Sequence, residues 1–260
     1  MNLRLAEIEL AHWRQAGKQV RLWWRDDDAR EPTPALDRLL AIAHKHEAPL
    51  TLAVVPDLKP QRVAERILSL PHVVIAQHGA DHVNRSPPGR DLSEMAPDET
   101  IDVISARMAQ GAARLRGLPN LIDLYVPPFN NFDDRLTAAL RLNGISAISA
   151  WGGQAAREGD LKRVDAHFET LRWGGGARFK GAWKLTTQFA KHLRQRRRAG
   201  AWDEPIGFLT HHLDHDEASW AFLDGFLRRT AKDPVFSLID IRDVLELAPP
   251  SARKPAEAPH

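Results

Sequence analysis

The chain has 260 residues, 43% of them hydrophobic and 27% charged, with 36 Lys and Arg against 34 Asp and Glu. That length and composition suit one globular domain with a continuous core and exclude a disordered or fibrous chain, while a formal charge of only +2 gives no ground for a nucleic-acid or anionic-membrane partner. Cysteine is absent, which excludes disulfides, a thiolate nucleophile and thiolate metal ligands, so any metal must sit on histidine and carboxylate.

Residues 2–16 place Leu3, Leu5, Ile8, Leu10 and Trp13 at the spacing of an amphipathic helix. Arg4, Glu7, Glu9, His12, Arg14 and Lys18 interrupt the apolar residues there, leaving no core for a secretion signal, and no later stretch reaches the roughly 20 apolar residues that span a bilayer. A cytoplasmic protein without a membrane span is the expectation. Residues 20–25, with Trp23 and Trp24, read as a buried strand that runs into Asp26-Asp27-Asp28. Residues 34–46 carry a helical stripe at Leu36, Leu39, Leu40 and Ala43. A strand over 48–55, a helix over 61–70 and a strand over 72–76 follow, the last leading into Gln77-His78-Gly79-Ala80-Asp81-His82.

A polar, Pro-rich excursion spans 84–99, and a helix is predicted over 100–115. The strand over 121–126 stops at Pro127-Pro128-Phe129-Asn130, and a helix over 133–142 and a strand over 145–149 come next. From 151 to 181 the pattern turns Gly-rich and aromatic; no strand precedes these glycines and no Lys-Ser or Lys-Thr follows them, so a long functional loop is expected rather than a phosphate loop. The helix over 182–198 ends in Arg194-Gln195-Arg196-Arg197-Arg198, expected as a solvated helix end. A strand over 206–210 delivers His211-His212, a helix covers 216–229 and a last strand 235–239. Residues 248–260 predict a disordered tail, leaving 1–247 as a single domain. Strands alternating with helices imply an α/β fold of parallel strands and right-handed crossovers, either a barrel or an open sheet.

The unusual polar residues each follow a different strand: Asp26 to Asp28, His78 with His82, Pro127 to Asn130, and His211-His212. In parallel α/β folds the carboxyl ends of the strands share the face on which sites are built. Three consecutive carboxylates repel one another, and a cation or catalytic duty offsets that cost; an Asp-rich turn capping the next helix is the bland alternative. His78 and His82 are four apart, a spacing that on a helical turn brings both imidazoles to one ion. With one carboxylate they make a three-ligand shell suited to Zn²⁺ or another divalent ion. A spare aspartate then serves as general base, and His211 or His212 as the acid.

In this order the residues resemble the polysaccharide deacetylase family, carbohydrate esterase family 4, whose members use a distorted (β/α)7 barrel. Arg25-Asp26-Asp27-Asp28-Ala29 is similar to the first motif of that family, with Ala29 where the family has glycine, and implies Asp27 as catalytic base and Asp28 as metal ligand. His78-Gly79-Ala80-Asp81-His82 matches its His-x-x-x-His motif, implying two further metal ligands. Leu209-Thr210-His211 resembles the last motif, with His212 adjacent, and Arg172-Trp173-Gly174-Gly175 a fragment of the aromatic wall. The third motif normally carries an arginine before proline, whereas Tyr125-Val126-Pro127-Pro128-Phe129-Asn130 carries none. The resemblance implies a metal-dependent hydrolase that removes acetyl groups from an N-acetylated sugar or polysaccharide, with Tyr125, Pro128, Asn130 and Trp173 on the substrate side. Two other readings are an amidase for another C–N bond of a small molecule and a non-catalytic barrel that stacks Trp151, Trp173 and Trp183 on sugar rings. The Arg194 to Arg198 run is not interleaved with aromatics, which argues against a nucleic-acid face.

Overall fold

A computed structural model describes residues 4–56, 59–131, 133–152 and 161–245. The tail predicted over 248–260, and the end of the predicted domain at 247, lie outside the described residues. The chain runs α1 (Arg4–Gln15), β1 (Val20–Ala29), α2 (Pro34–Lys45), β2 (Leu50–Val54), α3 (Gln61–Ile67), β3 (Val73–His78), α4 (Ile101–Leu115), β4 (Leu121–Val126), α5 (Asp134–Leu142) and β5 (Ala147–Ile148). It continues through β6 (Lys162–Arg163), β7 (Ala166–Glu169), β8 (Leu171–Arg172), β9 (Arg178–Phe179), α6 (Ala182–Ala199), β10 (Ile206–Thr210), α7 (Glu217–Lys232), β11 (Phe236–Leu238) and α8 (Ile241–Leu245). Side-chain caps fix four helix starts: Thr33, Thr100, Asp133 and Asp216 each accept a backbone N–H two or three residues on.

The strands from β5 through β4, β3, β2 and β1 to β10 and β7 are all parallel, and β11 pairs with the start of β1, Val20 to Leu22, on the edge opposite β10. Residues 162–169 close the ring. Lys162, Val164 and Ala166 donate their N–H groups to Ser146, Ile148 and Ala150, while Ala166, Phe168 and Glu169 register with Gly207, Phe208 and Leu209 of β10. With 162–169 taken as one bent strand, the result is the predicted distorted (β/α)7 barrel in one domain. The expected long loop over 151–181 therefore contains a strand of the barrel wall. Ala166-His167-Phe168-Glu169 alternates apolar and polar residues, which is a half-buried strand pattern too short to stand out in its surroundings.

Two faces follow from the period of two along each strand. Leu22 and Trp24 of β1, Leu50, Leu52 and Val54 of β2, Val73 and Ile75 of β3, and Ile206 and Phe208 of β10 face the outer layer, where they pack with helix residues such as Leu36, Leu39, Phe189, Leu223 and Phe226. Trp23, Ala53, Val74, Ala76, Ile122, Leu124, Val126, Ala147 and Val164 face inward and are plugged at one end by Ile241 and Leu245 of α8. Gly207 belongs to the inward set; a Cβ there would lie 2.7 Å from the Trp23 indole nitrogen and 2.5 Å from the Asp165 carbonyl, so glycine makes room for the tryptophan. The arginine run of α6 is mostly committed within the molecule. Arg194 and Arg197 grip the buried Glu9 of α1 at 2.9 and 2.8 Å and Arg196 meets Glu204 at 2.7 Å, so the run ties α6 to α1 while Arg194, Gln195 and Arg198 stay exposed as a solvated helix end.

Candidate active site

Strand β1 continues through all three aspartates, and its alternation sorts them. Arg25 and Asp27 share the inward face with Trp23, whereas Asp26 shares the outward face with Trp24. Asp28 departs from the alternation: it has φ +69°, and the register against β2 shifts between Asp26 and Ala29. Aspartate tolerates this left-handed conformation better than most residues, and the kink brings Asp28 to the same cavity as Asp27.

His78 ends the inward row Val74, Ala76, His78 of β3, and its Nδ1 donates to the Val126 carbonyl at 3.0 Å, which leaves Nε2 free to face the cavity. The following residues are not helical, contrary to the expectation from their spacing. Gly79 and His82 have φ of +68° and +58°, and the segment is a tight turn at the strand end that swings His82 back over His78, ring centroids 4.9 Å apart. Both imidazole Nε2 atoms converge on one oxygen, Asp28 Oδ1, at 3.1 Å from His78 and 2.9 Å from His82. The donor atoms of the three residues lie within 4.8 Å of one another. Two imidazole nitrogens and one carboxylate oxygen, one imidazole already oriented by a carbonyl, fit a divalent transition metal such as Zn²⁺. Burial raises the Asp28 carboxyl, but the hydrogen bonds from His78 and His82 outweigh it and hold Asp28 far below the ordinary range; His78 is raised, its burial outweighed by Asp28 and Asp27.

Arg25 is the cation that pairs with Asp27. Its side chain is 0% exposed, its Nε lies 2.8 Å from Asp27 Oδ1, and its Nη2 donates to Asp27 Oδ2 at 2.9 Å. The remaining donors reach the Ser149 carbonyl and hydroxyl at 2.9 and 2.6 Å and Asn130 Oδ1 at 2.6 Å. A buried charge is tolerable only when paired and hydrogen-bonded, and this pair is both. An arginine inside a strand of tryptophan and leucine was the sequence signal for it.

The two neighbouring histidines part company for the same reason as the aspartates. His211 follows the inward row of β10 and lines the cavity; its Nε2 lies 4.0 Å from Asp27 Oδ2 and its Nδ1 3.0 Å from Glu169 Oε1. Burial lowers its pKa, yet Glu169, Asp27 and Asp28 together push it up to about 9. Glu169 also accepts from the Trp173 indole N–H at 2.7 Å, and that indole stands edge-on to His211 with centroids 4.7 Å apart. His212 lies on the outward face, where its Nδ1 meets Asp26 Oδ1 at 2.5 Å, and Asp26 Oδ2 accepts from Thr210 Oγ1 and the His212 N–H. This pair is buried behind the barrel wall and does not line the cavity.

The cavity encloses about 590 Å³, within the usual range for small-ligand sites, and brings together Asp27, Asp28, His78, His82, Glu169 and His211 beneath a rim that includes Asp91, Asn130, Trp151 and Trp173. Tyr125 and Pro128, both expected on the substrate side, are not in this wall. Tyr125 lies on the opposite face of β4 from Leu124 and Val126, fully buried with its hydroxyl 3.2 Å from Glu94 Oε2, and Pro128 is buried against Gly79. Trp183 is 68% exposed and outside the cavity. Sequence reasoning missed Glu169, Glu94 and the pairing of Arg25; the first sits in the overlooked strand and the second in the loop excursion.

No family model and no curated protein matches the sequence. Solved structures match the fold. A protein from Mycobacterium smegmatis provisionally described as a polysaccharide deacetylase superposes with a TM-score of 0.62 at 16% identity, over 92% of this chain and 96% of that one. A family 4 carbohydrate esterase from Bacillus anthracis gives 0.50 at 10% identity over 88% and 83% of the two chains. A pseudoenzyme of that family from Bacillus anthracis gives 0.52 at 15% identity over 87% and 66%. At these identities the likeness establishes a shared fold; activity has to be argued from the residues.

Proposed function

We propose that the chain is a divergent member of carbohydrate esterase family 4, a metal-dependent hydrolase that removes acetyl groups from an N-acetylated sugar or polysaccharide. One observation carries the reading: a carboxylate held by a buried arginine, a His-His-Asp trio and a histidine raised to about 9 all face one cavity. Asp28, His78 and His82 would hold the ion, with Zn²⁺ the best match to the donors. When bound, a divalent ion supplies Lewis-acid polarisation of the acetyl carbonyl and lowers the pKa of water.

The chain's own residues account for the proton movements. Asp27 accepts the proton of the water that attacks the carbonyl carbon, and Arg25 keeps its carboxylate aimed at the cavity. His211, kept protonated at neutral pH by Glu169, Asp27 and Asp28, delivers a proton to the nitrogen as the C–N bond breaks. The products are acetate and a free amine. Trp151 and Trp173 on the rim offer apolar faces suited to a sugar ring, which favours a carbohydrate over other linear amides.

The test is elemental analysis of protein purified without chelator, beside an acetate-release panel of N-acetylated sugars and small-molecule amides. About one equivalent of metal, lost in His78→Ala/His82→Ala, together with turnover of N-acetylated sugars, supports the reading. Turnover confined to small-molecule amides would move the assignment to another C–N hydrolase, and sugar binding without turnover would make the barrel a binding protein.

A further inference from the structure

The turn that carries His82 is organised by a residue the reaction does not use. Glu94, in the Pro-rich excursion between β3 and α4, is 4% exposed and reaches back under residues 79–82. Its Oε1 accepts the N–H groups of Ala80 at 2.9 Å, Asp81 at 2.9 Å and His82 at 2.6 Å, while Oε2 accepts from Ala80 at 3.0 Å and from the Tyr125 hydroxyl at 3.2 Å. Successive backbone N–H groups turned toward one point form an anion-binding concavity, here filled by the chain's own carboxylate. The fit is close: a Cβ on Gly79 would lie 2.6 Å from Glu94 Oε1 and 2.4 Å from Pro128 Cγ, and Gly79 already has φ +68°. The backbone of Glu94 is itself anchored, its carbonyl accepting from Arg107 Nη2 at 3.0 Å.

This clasp has a consequence for the ligand trio. His82 is a non-glycine residue at φ +58°, a conformation that persists only where the surroundings enforce it. Its own N–H makes the shortest of the bonds to Glu94, so the carboxylate fixes the backbone from which the imidazole is aimed at Asp28. The negative charge strengthens all these bonds, and a neutral amide in the same place would hold the turn less firmly.

We propose that Glu94 is the positioning residue of the metal centre: by binding the N–H groups of residues 80–82 it holds His82 in ligating geometry and thereby sets the affinity for the ion. This rests on the metal-centre reading above. The experiment titrates the metal-free full chain with Zn²⁺ and records the visible spectrum of its Co²⁺ form, for wild type, Glu94→Gln, Glu94→Asp and His82→Ala, alongside each melting temperature. Glu94→Gln is expected to bind Zn²⁺ about 10- to 100-fold more weakly than wild type, the loss typical when a group that orients a ligand is removed. Its Co²⁺ spectrum should shift toward that of His82→Ala while its melting temperature in the absence of metal stays near wild type. Should Glu94→Gln fail to fold, Glu94→Asp, which keeps the charge on a shorter arm, decides: weakened Zn²⁺ binding supports the proposal and unchanged binding overturns it. A Glu94→Gln protein with wild-type affinity and spectrum overturns the role of Glu94 while leaving the metal centre standing. A wild-type chain that takes up neither Zn²⁺ nor Co²⁺ overturns the metal-centre reading itself.

Discussion

Arg25 and Asp27 stand two residues apart on one strand and face each other inside the barrel, Nε to Oδ1 at 2.8 Å and Nη2 to Oδ2 at 2.9 Å, both essentially inaccessible to solvent. The 127–130 segment carries no arginine, and Arg25, on the strand of Asp27 itself, is the cation that holds this carboxylate. Arg25→Ala leaves a buried carboxylate without its partner, and the expected cost is about 3–5 kcal/mol in urea denaturation. Arg25→Lys keeps a cation but not the planar fork; a base displaced by about 1 Å costs on the order of 100-fold in kcat, with metal content unchanged.

The parity of β1 and β10 divides four polar residues into a cavity pair, Asp27 and His211, and a wall pair, Asp26 and His212. Asp27→Asn or His211→Ala should lower kcat by about 10²- to 10⁴-fold, the usual worth of a general base or acid. Asp26→Asn or His212→Ala should instead lower the melting temperature while the folded fraction turns over substrate near the wild-type rate. Activity and thermal denaturation measured on all four variants check the division.

His211 carries a pH signature. Its folded pKa is raised to about 9 against an ordinary value near 6.5, so its contribution to stability is complete below about pH 6.5 and is lost as pH rises through about 9. In the metal-free protein, the imidazole resonances of His211 should titrate near pH 9 by NMR, and in Glu169→Gln the midpoint should fall. The stability difference between wild type and Glu169→Gln should shrink as the pH is raised past 9.

A divalent ion that binds only the folded chain stabilises it by mass action. At a free concentration about 100 times Kd the gain is about 2.7 kcal/mol. Zn²⁺ should therefore raise the melting temperature of the wild type, and His78→Ala/His82→Ala should melt at the same temperature with or without it.

Much of this arrangement was legible before the fold was known. The strands at 121–126 and 206–210 fall where their apolar runs place them, and each cluster of unusual polar residues proved to sit at a strand end. What the sequence left open was which of three aspartates and two histidines faces inward. In a barrel wall both faces are apolar, so Leu22, Trp23 and Trp24 show no alternation from which parity can be read. The His-x-x-x-His spacing suggested a helical turn because i and i+4 are neighbours on a helix; a left-handed residue at each end of a tight turn brings the same two rings together without one. Glu169 escaped notice because its strand is four residues long and sits in Gly-rich sequence.

The central claim is that Asp27 performs base chemistry beside a metal held by Asp28, His78 and His82. Its most direct test is acetate release from N-acetylglucosamine oligomers by Zn²⁺-loaded wild type and Asp27→Asn, with metal content measured on the same samples. The account predicts acetate from the wild type and almost none from Asp27→Asn at equal zinc occupancy. Equal release from both proteins, or a fully loaded wild type that releases no acetate from any N-acetylated sugar, would contradict it.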